Sequence, residues 1–325
     1  MKVSLRLPAL LLPLLMLACS AGSLLPTPTP TPPPTRQQVI PADAHKYLPA
    51  DDLFPPVIHL AGYAQPVPMP GAVNTAGAED SPFFSADGSL FFFFFTPDVR
   101  QPASKQVIDG VSGIWWMTWN GAAWSDPQRA RLSSELALDG CPFYQEGLLW
   151  FCSVRAGSYR EIDFYTARLA DGAWQDWRNA GEQLNQQMAV GELHISRDGS
   201  LMIFHKPVEA RGDLDLYQSQ QTTDGWGEPL NLGSAVNTTS DEGWPYLTPD
   251  GLQLWFTRPS ALGYPGPAVW RLLKQAQGWG EPEEIISSYA GEPTLDTAGN
   301  IYFVHHFFSA DGQMLEADIY VAYKE

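Results

Sequence analysis

Short apolar runs separated by turn-forming residues recur five times along the chain. The copies align at Pro82, Pro142, Leu193, Pro245 and Pro293, at intervals of 60, 51, 52 and 48 residues. In each copy an acidic-Gly or related turn such as Asp250-Gly251 follows, then an apolar second strand, then a third strand such as Asp215-Leu216-Tyr217. A period of this size that is built only from strands is typical of a β-propeller.

The second strands, such as Leu254-Trp255-Phe256, are continuous apolar runs, which predicts burial on both faces. The fifth copy has no fourth strand of its own before Glu325. Residues 66–75, however, match residues 229–238 position by position and end in the same Val-Asn-Thr. We therefore predict an all-β, five-bladed propeller of four-stranded blades over residues 51–325. An N-terminal strand completes its last blade and closes the ring, which removes exposed sheet edges.

The repeat pattern resembles that of a known family. The recurring elements are Asp/Glu-x-x-Pro, Asp-Gly, Asp-Ile/Leu-Tyr, Trp-x-x-Pro and Val-Asn-Thr. Together they resemble the TolB-type, WD-repeat-like β-propeller family over essentially the whole folded region. The resemblance implies a propeller in the cell envelope, a role in binding and assembly, and repeat residues that are structural.

The N-terminal region is typical of export. Lys2 and Arg6 precede a short apolar run, and Ala18-Cys19 resembles a bacterial lipobox. We predict a lipoprotein signal peptide over residues 1–18 and lipidation of Cys19; an ordinary signal peptide is the alternative. Residues 19–50 are predicted to be a Pro/Thr-rich tether, because alternating Pro favours extended polyproline. The expected location is the bacterial cell envelope, outside the cytoplasm and lipid-anchored, with the membrane contacted through the anchor only.

Charge and composition narrow the expected partners. The formal net charge of −17 disfavours nucleic-acid binding, which needs a basic surface. No nucleotide-binding or nucleophile-elbow motif is present in the sequence, so no catalytic residue is assigned. We expect a monomer that binds a protein or glycan partner without catalysis.

One residue of each copy predicts a ring of acids. Positions three and one before the aligned start share a strand face, because side chains alternate with a period of two. Each copy supplies one carboxylate at these positions: Glu79, Asp139, Glu192, Glu242 and Glu292. Lining a central channel, such a ring could take Ca²⁺, although no metal is assigned. The alternative is that these acids bind backbone amides where each inner strand begins.

Basic and aromatic residues predict a ligand face at the end that carries the long loops. These residues are Lys206, Arg258, His305, Arg155, Arg160, Arg211 and Tyr264. They suit an anionic glycan or an acidic peptide, and the alternative is that they balance local acids. A second function class is a glycan-active hydrolase or lyase that uses two channel carboxylates.

Two cysteines flank the Glu146-Gly147 turn symmetrically. Cys141 and Cys152 are expected to face each other across one hairpin, and an extracytoplasmic location permits a disulfide between them. Side chains diverge at a hydrogen-bonded strand pair, so two free thiols in the core remain the alternative.

Overall fold

Antiparallel strand meanders make up most of the regular structure in the computed structural model, which describes residues 34–208 and 213–325. The predicted signal peptide, Cys19 and Arg211 lie outside the described residues. The helical elements are short: α1 (Arg36–Val39), α2 (Ala103–Gln106) and a π-helix (Gln183–Gln187). Among the residues that the structure describes, no helix has the length and apolarity needed to cross a membrane.

Each sequence repeat folds as an antiparallel meander. Two short strands precede the repeats: β1 (Val57–Ile58) and β2 (Val67–Pro68). The first repeat has β3 (Ala78–Phe84), β4 (Leu90–Thr96), β5 (Gly113–Thr118) and β6 (Gln128–Arg129). The second has β7 (Leu138–Gln145), β8 (Leu148–Val154), β9 (Asp163–Ala170) and β10 (Ala173–Asn179).

The remaining repeats follow the same order. The third has β11 (Leu193–Ile195), β12 (Leu201–Pro207), β13 (Leu214–Thr222), β14 (Gly225–Trp226) and β15 (Leu230–Asn231). The fourth has β16 (Gly243–Leu247), β17 (Gln253–Pro259), β18 (Pro267–Gln275), β19 (Gly278–Trp279) and β20 (Glu283–Ser287). The fifth has β21 (Ala290–Leu295), β22 (Ile301–Phe308) and β23 (Met314–Ala322). Successive meanders of this kind, with their first strands around a common cavity, are the architecture of a β-propeller.

The N-terminal strands extend the last two repeats. Strand β1 pairs with β20, and β2 pairs with β23 so that Val67 lies opposite Val321. The predicted pairing of residues 66–75 with the fifth repeat is therefore confirmed. The first strand of the first repeat also meets β23, through a single parallel pair between Ala78 and Ala317.

Four of the second strands are buried on both faces, as predicted, whereas β8 alternates half-buried and buried positions. In β4, Phe91, Phe93 and Phe95 pack in one apolar cluster, whereas Phe92 packs in another that extends to Trp174 of the next repeat. All four phenylalanines are fully buried. The core is therefore a set of apolar layers between neighbouring meanders, and burial of these large rings is the main stabilising term.

The Val-Asn-Thr sequence has a local structural role. Asn74 accepts a hydrogen bond from the Ile319 N–H at 3.0 Å and donates one to the Ile319 carbonyl at 2.8 Å. Asn237 brackets Leu216 in the same way, at 2.9 Å in both directions. The amide side chain thus completes the backbone pairing of a third strand where the outer strand has ended.

Residues 34–50, which were predicted to belong to the tether, contact the strands. Arg36 is 3% exposed, and its Nη1 lies 3.0 Å from Glu79 Oε1. Lys46 forms ion pairs with Glu316 and Asp318 of β23. The buried contacts of Arg36 and Lys46 place this segment with the folded body.

Cys141 and Cys152 form a disulfide bond. Their register differs from the expected direct pair, because Gly140 is the residue opposite Cys152 and a bulge follows it. The bulge turns Cys141 towards its partner, which the diverging side chains of a regular pair would not allow.

Candidate functional site

The inner strands of all five repeats line one small cavity. Its volume is about 50 Å³, and the lining includes Ser81, Cys141, Glu192, Trp244 and Glu292, one residue from each repeat. We call this space the acid cavity. It lies where the inner strands begin. Each inner strand runs away from this end to its turn, and the second strand runs back. The connections between second and third strands therefore lie at the same end as the acid cavity.

Backbone bulges point these residues into the acid cavity. The pairing register shifts in four inner strands, in β3 between Asp80 and Phe83 and at the matching places in β7, β16 and β21. At these bulges Ser81, Cys141, Trp244 and Glu292 have φ values of 49°, 54°, 52° and 54°. A left-handed φ is uncommon outside glycine and is held here by the surrounding structure.

Two carboxyl groups line the acid cavity, and a third lies beside them. Glu192 and Glu292 line it, and Asp80 lies close enough to both for its charge to act on them. The Ser81 hydroxyl lies 3.0 Å from Asp80 Oδ1 and 2.9 Å from Glu292 Oε2. A hydroxyl has one hydrogen to donate. A proton on one of these two carboxyl groups would allow both contacts to be hydrogen bonds.

The environment of these groups favours their protonated forms. Burial raises the pKa of Asp80 to about 6. Burial, and then the charge of Asp80, raise the pKa of Glu192 to about 8. Burial, with the charges of Asp80 and Glu192, raises the pKa of Glu292 well above its ordinary value. Neighbouring carboxylates repel one another, so the folded protein holds protons at these groups more tightly than free carboxyl groups do.

A layer of aromatic rings closes the acid cavity from below. Phe83, Phe143, His194 and Tyr246 each follow the aligned start of their repeat by one residue. The ring centroids of Phe143 and His194 are 4.4 Å apart, and those of His194 and Tyr246 are 5.0 Å apart. His194 is 8% exposed, and neither of its ring nitrogens has a hydrogen-bond partner within the described ranges. Burial lowers its pKa to about 3, so the imidazole is neutral.

The five predicted acids do not form one ring. Glu192 and Glu292 line the acid cavity, but Glu79, Asp139 and Glu242 are buried elsewhere. Glu79 accepts hydrogen bonds from Thr75 N at 2.9 Å and Thr75 Oγ1 at 2.6 Å. The prediction was wrong because the bulge breaks the alternation of side chains between the two positions. Glu79 and Glu242 instead form the alternative contact, a hydrogen bond with a backbone amide. Glu242 accepts this bond from Thr238 N at 2.8 Å, as Glu79 does from Thr75 N.

The predicted basic ligand face is mostly half-buried, and two of its members interact with the predicted acids. Arg155 donates to Asp139 Oδ1 at 2.5 Å, and the charges of Arg258 and Glu242 act on each other. His305 is fully buried and its Nε2 lies 2.8 Å from Asp52 Oδ2. These three side chains are therefore unavailable to a ligand, because their charges and hydrogen bonds serve the fold.

In four of the five repeats described, a cation stacks on the aromatic residue of the third strand. Arg258 lies 3.7 Å from the ring centroid of Trp270, and Lys206 lies 4.6 Å from that of Tyr217. In the first repeat the N-terminal segment supplies the cation, because Arg36 lies 5.5 Å from Trp115. These contacts are cation–π interactions that stabilise the repeat. Arg160 donates to the Val190 carbonyl at 2.8 Å, while Tyr264 remains 38% exposed.

Three important residues were missed from the sequence. Arg36 and Lys46 lie in the segment predicted to be a tether. Asp80 stands two residues before the aligned start, where the other four repeats have Gly. The reason for glycine is clear at Gly191, where an added Cβ would lie 2.2 Å from the His205 ring. The signal that could have found Asp80 is therefore its departure from a glycine column.

The acidic-Gly turns at the opposite end are structural, as expected. Asp250 accepts hydrogen bonds from Thr248 Oγ1 at 2.6 Å and Leu252 N at 3.0 Å. These bonds hold the pKa of Asp250 below its ordinary value. A cavity of about 430 Å³ lies beside these turns, lined in part by Arg197, Asp296 and Lys324. Its carboxylates accept hydrogen bonds from turn amides, so these groups hold the turns.

Metal binding by direct chelation has no support in the geometry. Within residues 34–208 and 213–325, no group of three His, Cys, Asp or Glu side chains is placed to hold a metal ion.

Comparison with known proteins gives distant similarities. No family model and no curated protein matches the chain. TolB from Acinetobacter baumannii aligns with a TM-score of 0.43 and 12% identity over 78% of this chain and 56% of its own. An endo-arabinase from Bacteroides thetaiotaomicron gives 0.42 and 15% over 74% and 92%. Xyloglucan PUL GH43B from Bacteroides ovatus gives 0.47 and 12% over 79% and 54%. The fold is therefore assigned from the strand pairing and not from these similarities.

Replacing Glu192 by Gln is expected to stabilise the protein at pH 8.5 and to change its stability little at pH 5. A raised pKa means that the folded state holds the proton more tightly than the unfolded state. Stability therefore falls as pH rises from the ordinary value of 4.5 towards about 8. Gln removes one repelling charge, so we expect a gain of about 2 kcal/mol at the higher pH, measured by thermal unfolding.

The control for this experiment is Glu281→Gln, because Glu281 is an exposed glutamate outside the acid cavity. It should leave the melting temperature unchanged at both pH values. An equal gain for Glu192→Gln at pH 5 and pH 8.5 would show that charge repulsion is not its cause.

Proposed function

We propose that the chain is a five-bladed propeller, closed by its N-terminal strand, that works as a non-catalytic binding or assembly module. Three observations support five blades and closure. All five inner strands line one cavity, β2 pairs with the last strand, and Ala78 of the first repeat meets Ala317 of the fifth. Ring closure completes the last blade and gives a rigid scaffold for loops at its ends.

The proposed location is the outer surface of a bacterial membrane, with Cys19 lipidated. The support is the sequence of residues 1–33, which has a basic start, an apolar run, Ala18-Cys19 and alternating Pro/Thr. Lipid attached at Cys19 would hold the propeller close to the membrane while the Pro/Thr segment sets its distance. Replacing Cys19 by Ser should release the protein from the membrane fraction.

The size of the acid cavity is the observation that favours binding over hydrolysis. At about 50 Å³ it is several times smaller than a typical small-molecule site of about 300–1,000 Å³. A glycosidase needs a sugar ring to lie between two carboxyl groups. Here the carboxyl groups surround a space closed by Phe143, His194 and Tyr246, so a sugar residue does not fit between them.

The loops beside the acid cavity provide the proposed contact surface. They expose large apolar side chains, which are Ile108, Leu136, Tyr159, Ile162, Leu262 and Tyr264. These residues lie in connections at one end of the repeats, where propellers present variable loops on a rigid body. Exposed apolar and aromatic side chains suit either a protein surface or the face of a sugar.

The test combines binding with turnover. The protein is applied to a glycan array with Ca²⁺ and with chelator, and the glycans that bind are then assayed for release of reducing ends. We expect binding without release. Turnover that is lost in Glu192→Gln would instead assign the chain to the glycan hydrolases or lyases, which is the competing function.

A further inference from the structure

We propose that the acid cavity is a receptor site for one protonated primary amine, the side chain of a lysine on a protein partner. This inference rests on the proposed binding function and names the chemistry of the partner. Its first support is geometric. Glu192 and Glu292 come from two different repeats and line one small space at the end that carries the exposed loops. Asp80 lies beside them, since the Ser81 hydroxyl contacts both Asp80 Oδ1 at 3.0 Å and Glu292 Oε2 at 2.9 Å.

The second support is the unsatisfied histidine beneath these carboxyl groups. His194 lines the acid cavity and is 8% exposed, yet neither ring nitrogen has a hydrogen-bond partner among the described residues. A buried polar group without a partner costs free energy, and such groups are rare in folded proteins. A donor that enters the cavity would satisfy the acceptor nitrogen of the neutral imidazole.

The walls of the cavity fit an alkylammonium better than a bare metal ion. An ammonium has three donors and no acceptor, which matches a lining that offers the carboxyl groups of Glu192 and Glu292 and the hydroxyl of Ser81. The described residues place no three ligands for a metal ion. Trp244, Pro142 and Pro245 form apolar walls, and these can cover the methylene groups of a lysine stem.

The volume and the charge of the protein fit the same ligand. About 50 Å³ accepts an ammonium with its last methylene groups, so the rest of the ligand stays outside and contacts the loops. The net charge of −17 attracts cationic partners over a distance before contact. A lysine on a protein satisfies both conditions, because the partner surface can cover the exposed apolar loops while one side chain enters the cavity.

The experiment is a calorimetric titration of the full chain in detergent with the peptide acetyl-Gly-Gly-Lys-Gly-Gly-amide. We expect saturable binding with one site, weakened at least tenfold when the lysine is Nε-acetylated. Glu192→Gln and Glu292→Gln should each weaken binding at least tenfold, while Glu281→Gln, at an exposed position, should not change it. The two Gln variants retain side-chain volume, and their circular dichroism is measured alongside.

Four results would overturn the proposal. Absence of saturable peptide binding removes the site. Equal affinity for n-butylamine and the peptide makes a free amine the ligand and removes the protein partner. Binding of Ca²⁺ that depends on Glu192 and Glu292, without amine binding, makes it a metal site. A glycan or protein that binds the wild type and both Gln variants equally would preserve the proposed function and reject this inference.

Discussion

A chain that begins at residue 76 is expected to lose its cooperative unfolding transition, whereas one that begins at residue 34 keeps it. The truncation removes β1 and β2, which pair with β20 and β23. It also removes Met69 and Val73, which are 7% and 1% exposed, and the Asn74 side chain that brackets Ile319. The last repeat would then present an unpaired strand edge and an uncovered apolar face.

The measurements are size-exclusion chromatography and thermal unfolding followed by circular dichroism. An unpaired edge is a template for pairing with another chain, so we expect the shorter protein to aggregate. A peptide of residues 57–75 added during refolding should restore the monomer, because it supplies the missing strands. If the chain that begins at residue 76 stays monomeric and melts at the temperature of the longer chain, closure of the ring by the N-terminal strand is contradicted.

A third truncation separates the strands from the segment that precedes them. A chain beginning at residue 57 keeps β1 and β2 but lacks Arg36 and Lys46. It should fold and melt at a lower temperature, because the carboxylates of Glu79, Glu316 and Asp318 lose their cations.

The repeat and the N-terminal strand could be predicted from the sequence because their signals are local. Turn chemistry marks each hairpin, and a ten-residue match identified residues 66–75 as an outer strand, which the pairing of Val67 with Val321 confirms. Such patterns depend on the backbone conformation of a few neighbouring residues.

The acid cavity could be predicted only in part, because it depends on backbone geometry that its residue types do not reveal. Glu292 and Trp244 adopt a left-handed φ that neither residue type favours. A regular strand, in which side chains simply alternate, would place Glu79 and Glu292 in one ring. The structure has no such ring. Asp80 was missed for the same reason, since parity placed it on the opposite face of its strand.

The ion pairs of Arg36 and Lys46 with carboxylates of the strands are long-range contacts. Arg36 and Glu79 are 43 positions apart, and Lys46 and Glu316 are 270 apart. The sequence of a Pro-rich region does not predict which of its basic side chains contact the folded strands. The acidic and basic residues of the two predicted sites could be recognised from the sequence, but the contacts between them could be seen only in three dimensions.

Replacing Arg36 by Met is expected to lower the free energy of unfolding by about 3 kcal/mol. Its guanidinium donates to the Val73 carbonyl at 2.6 Å and to Glu79 at 3.0 Å, and it lies 5.0 Å from the Phe93 ring. Met keeps much of the apolar volume but leaves the Glu79 carboxylate buried without its cation. Burial already raises the pKa of Glu79 to about 7, with Arg36 opposing that shift. Without Arg36 the carboxyl group must take up a proton or remain as an unpaired charge.

A double-mutant cycle with denaturant unfolding tests this argument. Arg36→Met combined with Glu79→Gln should recover at least half of the lost stability, because no buried charge then remains. The control is Arg100→Met, since Arg100 pairs with Asp98 at 2.7 Å but its side chain is 63% exposed. That substitution should cause no measurable change, because solvent screens an exposed ion pair. If the double variant is as unstable as the sum of the two single variants, Arg36 acts through packing on the aromatic rings and not through its charge. The first turn of the described chain would then stabilise the fold as an apolar cover over Phe93 and Trp115.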